Sequence, residues 1–157
     1  MPVISRLLSI ALRVGEIAFA AVVAGIVGSY LHDYRSGSGL PLARFIYIEV
    51  VAGLSILLAL LWLLPFASGF FHWPIDLILS FAWFAGFGLL VNYVNKTTCG
   101  GHTFDWAGIT HGGFCGRWKS NEAFSFLSAI FWLVSALVGL WFIHRERSKT
   151  APADDRA

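Results

Sequence analysis

The sequence predicts an all-α fold, a left-handed antiparallel bundle of four membrane-spanning helices, on three observations. Four apolar runs, at about residues 10–31, 45–64, 74–94 and 123–143, each approach the roughly 20 residues that a helix needs to cross a hydrocarbon core. Hydrophobic residues make up 57% of the 157 and charged residues only 13%, whereas a soluble domain is roughly a quarter charged. The three loops are short, 28 residues at the longest, which makes successive helices neighbours of opposite direction. A soluble all-α protein is excluded by the same runs, because helices without a polar face have nothing to present to water. Net charge is only +2, so no nucleic-acid partner is expected.

The first run is read as an uncleaved span. Its apolar part, residues 17–31, is longer than a signal-peptide core, and its removal would leave three spans. Residues 32–44 form a polar turn with Ser36-Gly37-Ser38-Gly39 and Pro41. Residues 65–73 carry neither Lys nor Arg. Residues 95–122 form the longest connection, rich in glycine and holding both cysteines, Cys99 and Cys115. The whole reads as one membrane domain over residues 1–145, followed by a short disordered cytosolic tail, 146–157.

An even number of spans puts both termini on one side. That side carries Arg6, Arg13, Arg145, Arg147, Lys149 and Arg156, six cations, against five on the other (Arg35, Arg44, Lys96, Arg117 and Lys119). The excess is a single cation; the cysteines give the stronger ground, because a Cys99–Cys115 pair would need residues 95–122 to face an oxidising space and so puts the termini in the cytosol. Trp62, Trp73 and Trp141 fall at the cytosolic ends of spans and Tyr30, Tyr47 and Tyr93 at the outer ends, the two belts expected of amphipathic rings. Trp83 and Trp132 fall mid-span and are read as packing residues.

Two chemistries fit the cysteine-bearing loop. A Cys99–Cys115 disulfide would staple a glycine-rich segment, worth about 3 kcal/mol by the chain-entropy estimate, and would require an oxidising compartment. The alternative is zinc, held by Cys99 and Cys115 with His102 and His111, whose pair spacings approach those of small zinc sites and whose thiolates must stay reduced. Asn95-Lys96-Thr97 is a glycosylation sequon placed too near the membrane for ready modification.

Ionisable groups in spans are functional candidates by default. Arg13, Glu16 and Asp76 belong to the cytosolic end, and Arg44, Glu49 and Glu122 to the outer end, one arginine and two acids at each level. Ion pairing across helices that pins the bundle is expected of Arg13, Glu16, Asp76, Arg44 and Glu49. An ion or proton path would want polar groups at mid-depth, where the sequence offers Ser55, Ser128 and Ser135; a small transporter or channel subunit using the end-of-span carboxylates is the alternative function. Small residues recur at four-residue spacing: Ala20, Ala24 and Gly28 beside Ala21, Gly25 and Ser29, then Ala82 with Gly86, and Ser135 with Gly139. Such stripes allow close helix packing, within the bundle or between copies. No nucleophile elbow, phosphate loop or helical His motif is visible, so no catalytic residue, cofactor or metal is expected and the chain is read as non-enzymatic.

With four spans, the cysteines in the second outer loop, and Cys115-Gly116-Arg117-Trp118 followed by Ala123-Phe124-Ser125-Phe126 leading into the last helix, the chain resembles fungal MARVEL-domain proteins over about residues 5–145. The small four-span proteins of the non-classical-export type, found in eisosome compartments, are the nearest in layout. Claudins, by contrast, carry their cysteine pair in the first outer loop, which here has none. The resemblance implies organisation or shaping of plasma-membrane or vesicle domains, contacts with lipids such as sterol or sphingolipid, homo-oligomers, and a disulfide carried onto Cys99 and Cys115. It implies no catalytic residues.

Overall fold

In the computed structural model, residues 3–34, 42–63, 72–96 and 113–150 are described. They form four helices: α1 (Val3–Tyr34), α2 (Leu42–Leu63), α3 (His72–Val94) and α4 (Phe114–Thr150). Each contains a stretch long and apolar enough to cross a membrane: Leu7–His32, Leu42–Leu63, His72–Tyr93 and Cys115–Arg145. Helix is what such sequences must adopt in hydrocarbon, where every backbone N–H and C=O has to be satisfied within its own segment. The helices close in a ring: α1 packs on α2 and α4, α3 packs on α4 and α2, and the backbones of the diagonal pairs do not approach.

The fourth helix differs from the expectation at both ends. The fourth helix starts at Phe114, well before the apolar run at 123, and it continues to Thr150, so the first residues of the expected disordered tail are helical. The start is set by Gly113, whose φ of 124° lies in the left-handed region that glycine tolerates, and Arg117 N donates to the Gly113 carbonyl at 3.2 Å. Hydropathy marks where lipid begins, not where the helical hydrogen-bond ladder begins. At the other end of the connection, Asn95 N donates to the Val91 carbonyl and Lys96 N to that of Tyr93, closing α3 in a turn.

Burial repeats at alternating steps of three and four on every helix. On α1 it runs Arg13, Glu16, Ala20, Val23, Val27, Tyr30; on α2, Phe45, Ile48, Ala52, Ser55, Ala59; on α3, Asp76, Leu79, Trp83, Gly86, Leu90; on α4, Trp118, Asn121, Ser125, Ser128, Trp132, Ser135. This is the seam that packs nearly antiparallel helices along their length. The outward faces are apolar: Ile78 is 65% exposed, Phe81 62% and Leu57 60%. Charge and amide lie inside and large hydrocarbon outside, the reverse of a protein stabilised in water, so the surrounding solvent is lipid.

Candidate functional site

Near the N-terminal end of α1, all four helices contribute to one buried polar cluster. Arg13 and Glu16, three residues apart on α1, share a face, and Arg13 Nη1 donates to Glu16 Oε2 at 2.8 Å. The same guanidinium forks onto Asp76 of α3: Nη2 donates to Oδ2 at 2.7 Å and Nη1 to Oδ1 at 3.2 Å. Ser135 of α4 donates to Asp76 Oδ2 at 2.9 Å. Trp62 of α2 and Trp132 of α4 set their rings 4.5 and 5.2 Å from Arg13 Cζ, and the His72 ring lies 4.8 Å from Trp62. Glu16 and Asp76 are 0% and 2% exposed. A planar guanidinium suits this place because it serves two carboxylates and two ring faces at once, which an ammonium would not.

The level at the opposite end of the bundle is built differently. Arg44 donates to the Leu89 carbonyl at 3.4 Å, and no ion pair joins it to Glu49 among the described residues. The pairing across helices expected of Arg44 and Glu49 does not form among the described residues, and the two cannot pair with each other along α2, because five residues at 100° per residue put their side chains about 140° apart. Aromatic rings occupy this level instead. Trp118 lies 5.4 Å from Tyr30, 5.2 Å from Phe45 and 4.8 Å from Tyr93, one ring from each helix. Tyr30 and Tyr93 thus turn inward onto Trp118 rather than forming a lipid-facing belt, whereas Tyr47 and Trp141 stay exposed.

Between the two levels the interior is more polar than three serines. Trp83 Nε1 donates to Ser55 Oγ at 2.9 Å, and Ser80 Oγ donates to the Ala129 carbonyl at 2.9 Å. Asn121, Ser125 and Ser128 are also fully buried on α4. Asn121 and Ser125 fell in or beside a segment read as loop, so sequence reasoning passed over them; the three-and-four spacing from Trp118 to Ser135 was the signal that would have found them.

The small-residue stripes divide. Ala20 is fully buried and Ala24 and Gly28 partly so, while Ala21 and Gly25 face outward, and a side chain at Gly25 or Gly28 would meet nothing within 4 Å. Ala82 and Gly86 face α2: Tyr47 Oη donates to the Ala82 carbonyl at 3.1 Å, and Gly86 approaches Ile48. Gly139, one turn past Ser135, faces Trp73 of α3. Cys115 opens α4 in its first turn, and no free cysteine occurs among the described residues. Cys99, His102 and His111 lie outside those residues, so the zinc alternative falls there too; among the described residues, no group of three His, Cys, Asp or Glu side chains is placed to hold a metal.

The arrangement therefore offers a fixed charge cluster, an aromatic plug and a polar seam between them. Compared with known proteins, residues 6–138 match the MARVEL family, described as a membrane-associating domain, which takes in α1, α2, α3 and most of α4. No curated protein matches the chain.

Proposed function

The chain belongs to the MARVEL family of membrane-associating domains, and from that premise we propose that it is a non-enzymatic protein that organises or shapes the membrane around it by lateral self-association. The carrying observation is the outer face of α1. Ala21 and Gly25 are exposed there, and a side chain at Gly25 or at the adjoining Gly28 would have open space around it. In lipid, hydrophobicity does not bring helices together; close backbone approach does, and a small-residue face permits it. The buried cluster supports the same reading from inside, since a bundle pinned at one level by Arg13, Glu16 and Asp76 is a rigid unit to assemble.

The finer picture belongs to this proposal: a fungal four-span protein of the non-classical-export type, associated with eisosomes, working at the plasma membrane or on secretory vesicles and contacting lipids such as sterol or sphingolipid. Its termini are cytosolic and its second outer loop is closed by Cys99–Cys115 on the extracellular or lumenal side. The pairing is supported by the lack of any free cysteine among the described residues.

Crosslinking in native membranes and in mild detergent tests the assembly. The native chain should give dimers or larger species, and Gly25→Leu with Ala21→Leu should reduce them at least fivefold without altering the monomer's helix content. A native chain that remains monomeric in both settings refutes self-association.

A further inference from the structure

The inward seam of α4 holds polar atoms that the protein itself does not satisfy. Among the described residues, Asn121 Nδ2 and Oδ1, Ser125 Oγ, Ser128 Oγ and Trp132 Nε1 have no hydrogen-bond partner, and neither does Glu16 Oε1 of α1, at the cluster the seam leads to. All five residues are 0% exposed. Other interior hydroxyls behave differently: Ser55 accepts from Trp83, Ser80 donates to a carbonyl, and Ser135 donates to Asp76. Ser125 and Ser128 also make no hydrogen bond back to the preceding turn, a bond that serines in membrane helices commonly form. Polar groups buried in lipid without a partner are expensive enough that a partner must be supplied.

The chemistry identifies that partner. From Asn121 to Trp132 the seam rises about 16 Å. Along it the open positions alternate in kind: an amide donor and acceptor, two hydroxyls that can do either, an indole donor, then a carboxylate acceptor. A metal ion would want several oxygens and no N–H, and an anion would want no carboxylate. A molecule that both donates and accepts twice matches the hydrogen-bonding need of every position, and internal water satisfying two to four such groups is a recognised structural component. We propose that the bundle encloses a column of bound water along α4, bridging Asn121, Ser125, Ser128, Trp132 and Glu16. The Trp118 plug closes it at the outer end, and the Arg13–Asp76 fork closes it at the other. Among the described residues, the charged and titratable groups around its Glu16 terminus are Arg13 on α1 and Asp76 and His72 on α3, with Trp62 of α2 and Trp132 and Ser135 of α4 at that level. The column would connect the Glu16 carboxylate by hydrogen bonds to the far end of the bundle.

Radiolytic hydroxyl-radical footprinting of the full chain in phosphatidylcholine nanodiscs tests this, because radicals formed from bound water oxidise buried side chains beside it. Trp83 is the internal reference, being as buried as Trp132 but with its Nε1 already bonded to Ser55. Trp132 should be oxidised at least threefold faster than Trp83. In Asn121→Leu/Ser125→Ala/Ser128→Ala that excess should vanish, and Ser128→Ala alone, which removes a single hydroxyl, should at least halve it. Equal rates at Trp132 and Trp83 in the native chain, or an excess that Ser128→Ala leaves unchanged, would overturn the proposal.

Discussion

Arg13 Nη2 donates to Asp76 Oδ2 over 2.7 Å and so joins α1 to α3 across the diagonal of the bundle, between helices whose backbones do not approach. The two residues are 63 positions apart, and both are buried. One fork therefore sets the depth of both helices relative to each other, while Ser135 and the rings of Trp62 and Trp132 bring α4 and α2 to the same level.

Removing the cation should be costly, and removing the whole cluster should not. Arg13→Met strands two buried carboxylates and is expected to lose about 3–5 kcal/mol. Arg13→Met/Glu16→Leu/Asp76→Leu replaces every charge with packing and should lie within about 1.5 kcal/mol of the native chain or above it. Unfolding by SDS in mixed micelles, followed by circular dichroism, measures both. A triple variant less stable than Arg13→Met would show that the charges contribute more than mutual neutralisation.

Gly15 and Gly86 should respond oppositely to alanine. A Cβ at Gly15 would collide with the Phe131 ring, and that ring is itself held edge-on by Phe19 at 4.9 Å, so the α1–α4 contact must shift. Gly15→Ala should lose about 1–3 kcal/mol. At Gly86 the nearest atom is Ile48 Cγ1 at 3.6 Å, an ordinary contact, so Gly86→Ala should be neutral or gain up to about 1 kcal/mol. The same unfolding assay ranks them, and a reversed order would contradict the helix spacing.

Ser55 and Trp83 should be energetically coupled. Ser55→Ala leaves the Trp83 indole N–H buried without its acceptor and should lose about 1 kcal/mol. In a Trp83→Phe background the same change should have almost no effect. A double-mutant cycle with coupling indistinguishable from zero would mean the bond does not form in the membrane.

Freshly isolated protein should expose no thiol to a membrane-impermeant or permeant maleimide until it is reduced, if Cys99 and Cys115 are paired. Reduction, or Cys115→Ser, should lower stability by about 3 kcal/mol. Two thiols alkylated without reductant would remove the disulfide and reverse the proposed sidedness, and stoichiometric zinc lost on changing His102 and His111 would establish the metal alternative.

Much of the inner cluster was legible as composition but not as contact. Arg13, Glu16 and Asp76 stand out in any reading because charge in an apolar run is rare, and their common depth follows from the direction of each helix. That they meet does not follow from sequence, because helix order around the ring was not known; nor does the failure of Arg44 to meet Glu49, which rests on rotation about α2. Asn121 and Ser125 were hidden because hydropathy places them near or outside the fourth span, while the helix that carries them begins at Phe114.

By itself the sequence determined four helices crossing hydrocarbon in alternating directions, since a bilayer leaves a backbone few other ways to satisfy its hydrogen bonds. It also placed Arg13, Glu16 and Asp76 near one end of the spans and Arg44, Glu49 and Glu122 near the other. Only the tertiary structure decided which face of each helix turns inward: Ala20 in and Ala21 out, Trp118 into the centre, Ser125 and Ser128 along one seam. Lipid is as apolar as the bundle's own leucines, so hydrophobicity cannot distinguish an inner face from an outer one. Shape and polar partnership do, and both depend on residues from other helices.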